Sequence, residues 1–311
     1  MKFNSKRAAF GRHETFPLRY SWLTKAYQEV TKNPYVFESD NSTVELGVGK
    51  NMVSAIRYWS VAAGIIQKSK ENNGYESTEL GKLIFDEDQG FDPYLEDEAT
   101  LWLLHWQLAS NPELATGIYW IFNRYHKPEF SVSDALEVLE DFTAHNLNAS
   151  YSKNTLKNDV GVILRMYADA PIKSKSSVDD VLDAPFIALK LLSLLSDNKT
   201  YRLEVGFQDS LPLEIIGYAI ALLFEVTGSD SIAIEDLMYG KTDFPAPSAI
   251  FNLSESAFVE QLSLLENYSG AFMLRESAGI NLLYRNRAVE IKPTQFLHDY
   301  FERANKLELI A

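Results

Sequence analysis

The chain has no cysteine among its 311 residues. That excludes disulfides, zinc sites with thiolate ligands, a cysteine nucleophile and a covalent thiol sulfur carrier. Histidine is scarce, with five scattered copies, so an all-histidine metal site is not expected. No HExxH, Walker A or GxGxxG pattern occurs. No stretch is long and apolar enough to span a bilayer. The best candidate, Leu211 to Val226, carries Pro212, Glu214 and Glu225 and reads as a buried helix. The opening residues show no signal-peptide pattern, so the cytoplasm is the expected compartment and no membrane partner is expected. What remains is a globular composition, 46% hydrophobic and 23% charged, in a chain long enough for two or three domains.

Positive charge is scarce overall but unevenly placed. The formal net charge is −14. Residues 1–83 hold twelve Lys and Arg against eight Asp and Glu, a local balance of +4, which leaves −18 for the rest. A basic N-terminal part suits phosphate contact. The acidic remainder is either a solvated surface, or one that limits nonspecific DNA binding or faces a basic partner.

The segment Leu46 to Ile66, LGVGKNMVSAIRYWSVAAGII, reads as the turn and second helix of a helix-turn-helix. Helical spacing aligns Val53, Ile56 and Ser60, with Trp59 and Ala63 beside them, as an inward stripe. Lys50, Asn51, Ser54, Arg57 and Tyr58 fall outside it, and such side chains reach phosphates and base edges. Ile65 to Lys70, the turn Asn72-Asn73-Gly74 and Tyr75 to Ser77 follow as a wing-like hairpin, which adds Lys68 and Lys70. The same fold also serves protein contacts, so the pattern leaves both readings open.

Further along, Trp102, Trp106, Tyr119, Trp120, Phe122 and Tyr125 read as an interdomain core, with base stacking as the alternative. Ser131 or Ser133, Ser152 and Ser254 are expected helix caps. Ala170 to Ser177 is the best linker candidate. Val178–Leu195 reads as mostly helical, Ile232–Met238 as a short helix, and 272–275 with 281–287 as another wing. The expected fold class is mainly α with short β wings, in tandem winged helix-turn-helix-like units. The expected domains are 1–90, 91–170 and 178–311.

For chemistry, Arg12, His13, Glu14 and Arg19 place acid, base and phosphate-binding groups in one short span. They are expected to form one polar site near the first winged helix, either catalytic or a structural anchor of the tail. Asp159 beside Lys157 is a second carboxylate, for metal or for a solvated ion pair. Glu276 beside Arg275 is a third.

Gly11-Arg12-His13-Glu14-Thr15-Phe16 with Arg19 and Trp22-Leu23 resembles the opening of a bacterial domain-of-unknown-function family. That family occurs in defence islands and includes the SspB-like proteins of DNA phosphorothioation operons. Leu46 to Val53 with Ile56-Arg57-Tyr58-Trp59 resembles its second motif. Leu103 to Trp106, Thr155 to Val160 and Glu276 to Ile280 are similar to later blocks. The resemblance implies a DNA-binding component of a phosphorothioation or anti-phage system that nicks DNA for sulfur modification. The alternative is a noncatalytic adaptor or transcription regulator that delivers DNA to a partner enzyme. A nickase needs Mg2+ or Mn2+, with Glu14 the candidate ligand and Glu14 and His13 the catalytic candidates. The implied partners are DNA, an ATPase and a sulfur-activating enzyme, with a homodimer left open.

Overall fold

The computed structural model describes residues 1–169, 183–277, 279–290 and 292–308. The linker candidate Ala170 to Ser177 lies outside the described residues. The chain forms two compact units. One comprises residues 4–120 and 126–204; the other comprises 1–3, 121–125 and 205–311. The expected cuts at 90 and 170 are therefore not the ones seen, because residues 1–90 share one contact network with the helices that follow.

In the first unit, α1 (Tyr20–Lys32) turns Trp22, Leu23, Ala26, Tyr27 and Val30 inward. It stops at Asn33, whose extended backbone is what a following proline demands. A 3-10 turn, Val36–Glu38, and the short α2 (Ser42–Glu45) follow. Helix α3 (Lys50–Ala62) buries Val53, Ile56, Trp59 and Ser60, the stripe that its spacing indicates. Gly64 takes φ +71° and swings the chain into β1 (Ile66–Lys68). This strand pairs antiparallel with β2 (Tyr75–Ser77), with Ile66 opposite Ser77.

Thr78 caps α4 (Glu79–Phe85) by accepting from the Gly81 N–H. Its hydroxyl also donates to the Gly64 carbonyl at 2.6 Å. Gly81 lies so close to β1 that an added Cβ would stand 2.2 Å from the Ile65 carbonyl oxygen. Gly81→Ala is therefore expected to cost about 1–3 kcal/mol through forced backbone movement. Gly161→Ala, which meets only the end of the Arg165 side chain at 3.9 Å, should be neutral or stabilising. Equal melting temperatures for the two variants would contradict this packing.

Helix α5 (Glu98–Ala109) is buried nearly all round, including Trp102 and Trp106, as an apolar helix inside a core must be. Helix α6 (Thr116–Asn123) brings in Tyr119 and Trp120. These aromatics are core; none stands free to stack on a base. Then come β3 (Glu129–Ser131), α7 (Val132–Asn146) and α8 (Lys153–Tyr167). Ser131 forms a reciprocal capping box with Asp134, and Ser152 caps α8. After a 3-10 turn at Pro185–Leu189, β4 (Leu192–Leu194) and β5 (Thr200–Leu203) form an antiparallel sheet in the order β3-β5-β4. Of the helix expected over Val178–Leu195, residues 178–182 lie outside the described residues, and the rest is this 3-10 turn and strand β4. Pairing with β5 supplies partners that a short apolar run cannot advertise locally.

The second unit is built on α9 (Leu213–Thr227), which packs against three later helices. Strand β6 (Ser231–Ala233) precedes α10 (Ile234–Met238), so the expected short helix begins as a strand. Next are α11 (Pro247–Ile250), α12 (Glu255–Ser269, capped by Ser254), β7 (Phe272–Ser277), β8 (Ile280–Arg285) and α13 (Pro293–Glu308). The sheet is antiparallel in the order β6-β8-β7. Phe272 stacks on Phe224 of α9 and on Phe296 of α13. The protein is mainly helical with short antiparallel β elements. No helix among the described residues is long and apolar enough to cross a membrane.

Candidate nucleic-acid interface

The segment Gly11 to Phe16 forms a tight turn in which Glu14 and Thr15 both adopt left-handed backbone, φ +50° and +65°. Two such residues that are not glycine cost on the order of 1–3 kcal/mol each, so the surroundings must hold them. They do. The His13 carbonyl accepts from the Phe16 N–H at 2.8 Å. The Thr15 N–H donates to His13 Nδ1 at 3.1 Å, and Arg165 of α8 donates to the Thr15 carbonyl at 2.7 Å. Trp59 of α3 donates its indole N–H to the Phe16 carbonyl at 3.0 Å.

His13 is buried and lies nearly parallel to Trp59, ring centres 5.9 Å apart. Because Nδ1 accepts from Thr15, the neutral ring carries its proton on Nε2. That nitrogen faces the buried carboxylate of Asp159 on α8, 3.2 Å from Oδ1, in an electrostatic contact whose angles fall short of a hydrogen bond. The other carboxylate oxygen, Oδ2, accepts from the Gly11 N–H at 2.7 Å. Asp159 is thus buried against the turn and is not half of a solvated pair with Lys157. It holds the start of the turn at Gly11 and faces the ring of His13 in its middle.

With His13 facing inward, Arg12 and Glu14 are exposed. They line a groove of about 830 Å³ together with Ser54, Arg57, Tyr58 and Val61 of α3. Lys6, Arg7, Tyr75, Glu113 and Tyr151 also line it. Four cations, Lys6, Arg7, Arg12 and Arg57, meet two carboxylates there, and one of these, Glu113, pairs with Arg7 at 2.9 Å. The Tyr58 hydroxyl donates to the Leu114 carbonyl at 2.7 Å. Burial above all, then the charge of Asp159, pushes its pKa well above the ordinary value, with Arg12 pulling the other way. Tyr58 is therefore a fixed neutral wall of the groove. Tyr151, whose pKa burial also raises, donates to the Ala8 carbonyl at 3.2 Å and holds the N-terminal segment against the opposite side. A groove with surplus guanidinium and ammonium groups and a serine hydroxyl is suited to phosphodiester oxygens.

The expected single cluster of Arg12, His13, Glu14 and Arg19 is split. The turn alternates its side chains, so His13 goes inward while Arg12 and Glu14 go outward. Arg19 precedes α1, where it pairs with Asp183 at 3.3 Å and lies over Trp22. Lys50 and Asn51 are exposed on the first turn of α3, outside the groove lining. Lys68 is held by Glu38 at 2.7 Å and lies over the Tyr75 ring; Lys70 is exposed in the hairpin loop. Sequence reasoning missed Lys6, Arg7 and Tyr151 as groove residues. The basic character of the first residues was the available signal for the two cations, whereas Tyr151 carries none.

Among the described residues no three His, Asp or Glu side chains gather as a metal cage. Glu14 stands among cations and the second carboxylate of the groove, Glu113, is taken by Arg7, a donor set that does not fit a resident metal centre.

Residues 10–301 match the family described as a protein of unknown function, DUF4007. The chain belongs to that family. No curated protein matches it. Two solved structures are similar. One is a crystal structure of magnesium-ion-bound SspB, with a TM-score of 0.82 and 29% identity, covering 97% of this chain and 89% of that one. The other is a crystal structure of SspB, with a TM-score of 0.81 and 29% identity, covering 96% and 90%. The family resemblance carried by the motifs at residues 11–23 and 46–59 is borne out.

Proposed function

We propose that this chain is a DNA-binding component of a phosphorothioation-type defence system. Its first unit, a winged-helix-like arrangement of α1 to α3 and the β1–β2 hairpin, contacts the DNA backbone. The observation that carries the reading is the groove in which Arg12, Arg57, Lys6 and Arg7 converge beside the outer face of α3. Lys50 and Asn51 on α3 and Lys70 in the hairpin loop are exposed and available to DNA as well, and similarity to SspB along nearly the whole chain supports the choice of system. The partners under this reading are DNA, an ATPase and a sulfur-activating enzyme. Electrophoretic mobility shift with a DNA duplex tests it directly; absence of binding at low salt would end it.

Nicking is a second reading, favoured by one observation. Glu14 is an exposed carboxylate held at φ +50° on the groove, and strained backbone gathers at functional positions. Supercoiled plasmid incubated with and without Mg2+ or Mn2+ checks it. If Glu14 acts, Glu14→Gln should reduce relaxation at least about 100-fold while stability stays within about 0.5 kcal/mol, as for an exposed side chain. Relaxation that survives the substitution, or none by the unaltered protein, leaves delivery of DNA to a partner enzyme as the function.

A further inference from the structure

The second unit carries the same local order as the first, a helix followed by an antiparallel hairpin: α12 then β7–β8, as α3 is followed by β1–β2. The outward chemistry of the two helices is opposite. Helix α3 presents Lys50 and Arg57 and contains no acidic residue. Helix α12, ESAFVEQLSLLENYS, contains no lysine or arginine and three glutamates. Residues 205–311 as a whole hold seven Lys and Arg against fifteen Asp and Glu.

The inner face of α12 is complete without its outer one. Ala257, Phe258, Gln261, Leu262 and Leu265 are buried and account for its packing. Outside stand Val259, Leu264 and Tyr268, between 42% and 46% exposed. Glu260, Leu264 and Tyr268 follow one another at four-residue steps, so they form one line along the helix. Glu255 is engaged by the Tyr239 hydroxyl and Glu266 by Arg275, whereas Glu260 makes no ion pair among the described residues. At the Tyr268 end the line meets a cleft of about 360 Å³ lined by Leu211, Pro212 and Tyr300, with Arg303 tied to the buried Glu214 at 2.6 Å.

An acidic and apolar helix face repels a phosphate backbone, which needs cations. Its complement is a cationic side chain next to an apolar anchor, as an amphipathic basic helix presents. We propose that the outer face of α12 with its adjoining cleft is a docking surface for a basic amphipathic helix of a partner protein. Apolar side chains of that helix would cover Leu264 and Tyr268, and its Lys or Arg side chains would face Glu260. The chain would then hold DNA with one unit and protein with the other. This inference does not depend on the DNA reading.

The test uses the full chain and a fluorescent helical peptide of lysine and leucine at amphipathic spacing. The same peptide with glutamine in place of lysine, and a DNA duplex, serve as competitors of other chemistry. The lysine peptide is expected to bind, and the double variant Glu260→Lys, Leu264→Asp to weaken it at least about tenfold. Ser263→Arg, which adds a repelling cation beside the line, should weaken it in the same direction. Both variants should melt as the unaltered protein does, because the altered side chains are exposed. No binding of the lysine peptide, equal binding to the variants, equal binding of the glutamine peptide, or loss of DNA binding in the double variant would overturn the proposal.

Discussion

Arg12→Glu combined with Arg57→Glu is expected to weaken binding of a DNA duplex about 60-fold or more at 0.1 M salt. The reason is counterion release. Each phosphate neutralised by a cation adds about 0.9 to the steepness of log affinity against log salt, so two lost contacts amount to nearly two decades at that salt. The slope should flatten by about 2, and reversal of sign adds repulsion. Both guanidinium groups line the same groove, one from the Gly11–Phe16 turn and one from α3. Neither makes an ion pair among the described residues, so their replacement should leave the melting temperature nearly unchanged. Arg19→Gln is the opposite control. It breaks the pair with Asp183 and the contact over Trp22, and should affect stability rather than affinity. Anisotropy titrations across a salt series decide the matter. An unchanged slope in the double variant would place the DNA elsewhere.

Much of this groove was legible in the sequence, and the reason is local. Val53, Ile56, Trp59 and Ser60 repeat at helical spacing, so the outward positions Ser54 and Arg57 follow by elimination. Ser131, Ser152 and Ser254 announce their helices because capping is decided within four residues. What was not legible depends on distant partners. His13 and Asp159 stand 146 positions apart, and nothing near either residue points to the other. Leu192–Leu194 becomes a strand only because β5 lies beside it. Division of the chain failed for the same reason. Residues 121–125 belong with the unit formed by residues 205–311, where Asn123 accepts from the Ala246 N–H at 2.9 Å. A reading that moves along the chain divides it into consecutive pieces and has no means of seeing such an exchange.

The buried contact between Asp159 and the turn yields the last expected result. Asp159→Ala should destabilise the protein by about 3 kcal/mol. The Gly11 N–H loses an ionised acceptor at 2.7 Å, an interaction worth about 1.5–3 kcal/mol. The His13 Nε2–H also loses the carboxylate charge that it faces at 3.2 Å in a buried site, which adds to that loss. For a unit of this size the melting temperature should fall by about 6–12 °C. Asp159→Asn is expected to fall in between. Its carbonyl oxygen can still accept from Gly11, but its amide then meets the His13 N–H, donor against donor. The ring cannot escape by moving its proton to Nδ1, because that atom must accept from Thr15. The left-handed backbone of Glu14 and Thr15 persists only while these contacts hold it, so loss of Asp159 should also release Arg12 and Glu14 from the groove. DNA affinity measured well below the lowered melting temperature should then fall by about tenfold, as for loss of one phosphate contact. A lowered melting temperature with unchanged affinity would mean that the turn stabilises the fold without presenting Arg12. An unchanged melting temperature would remove the buried pair from any role in holding the turn.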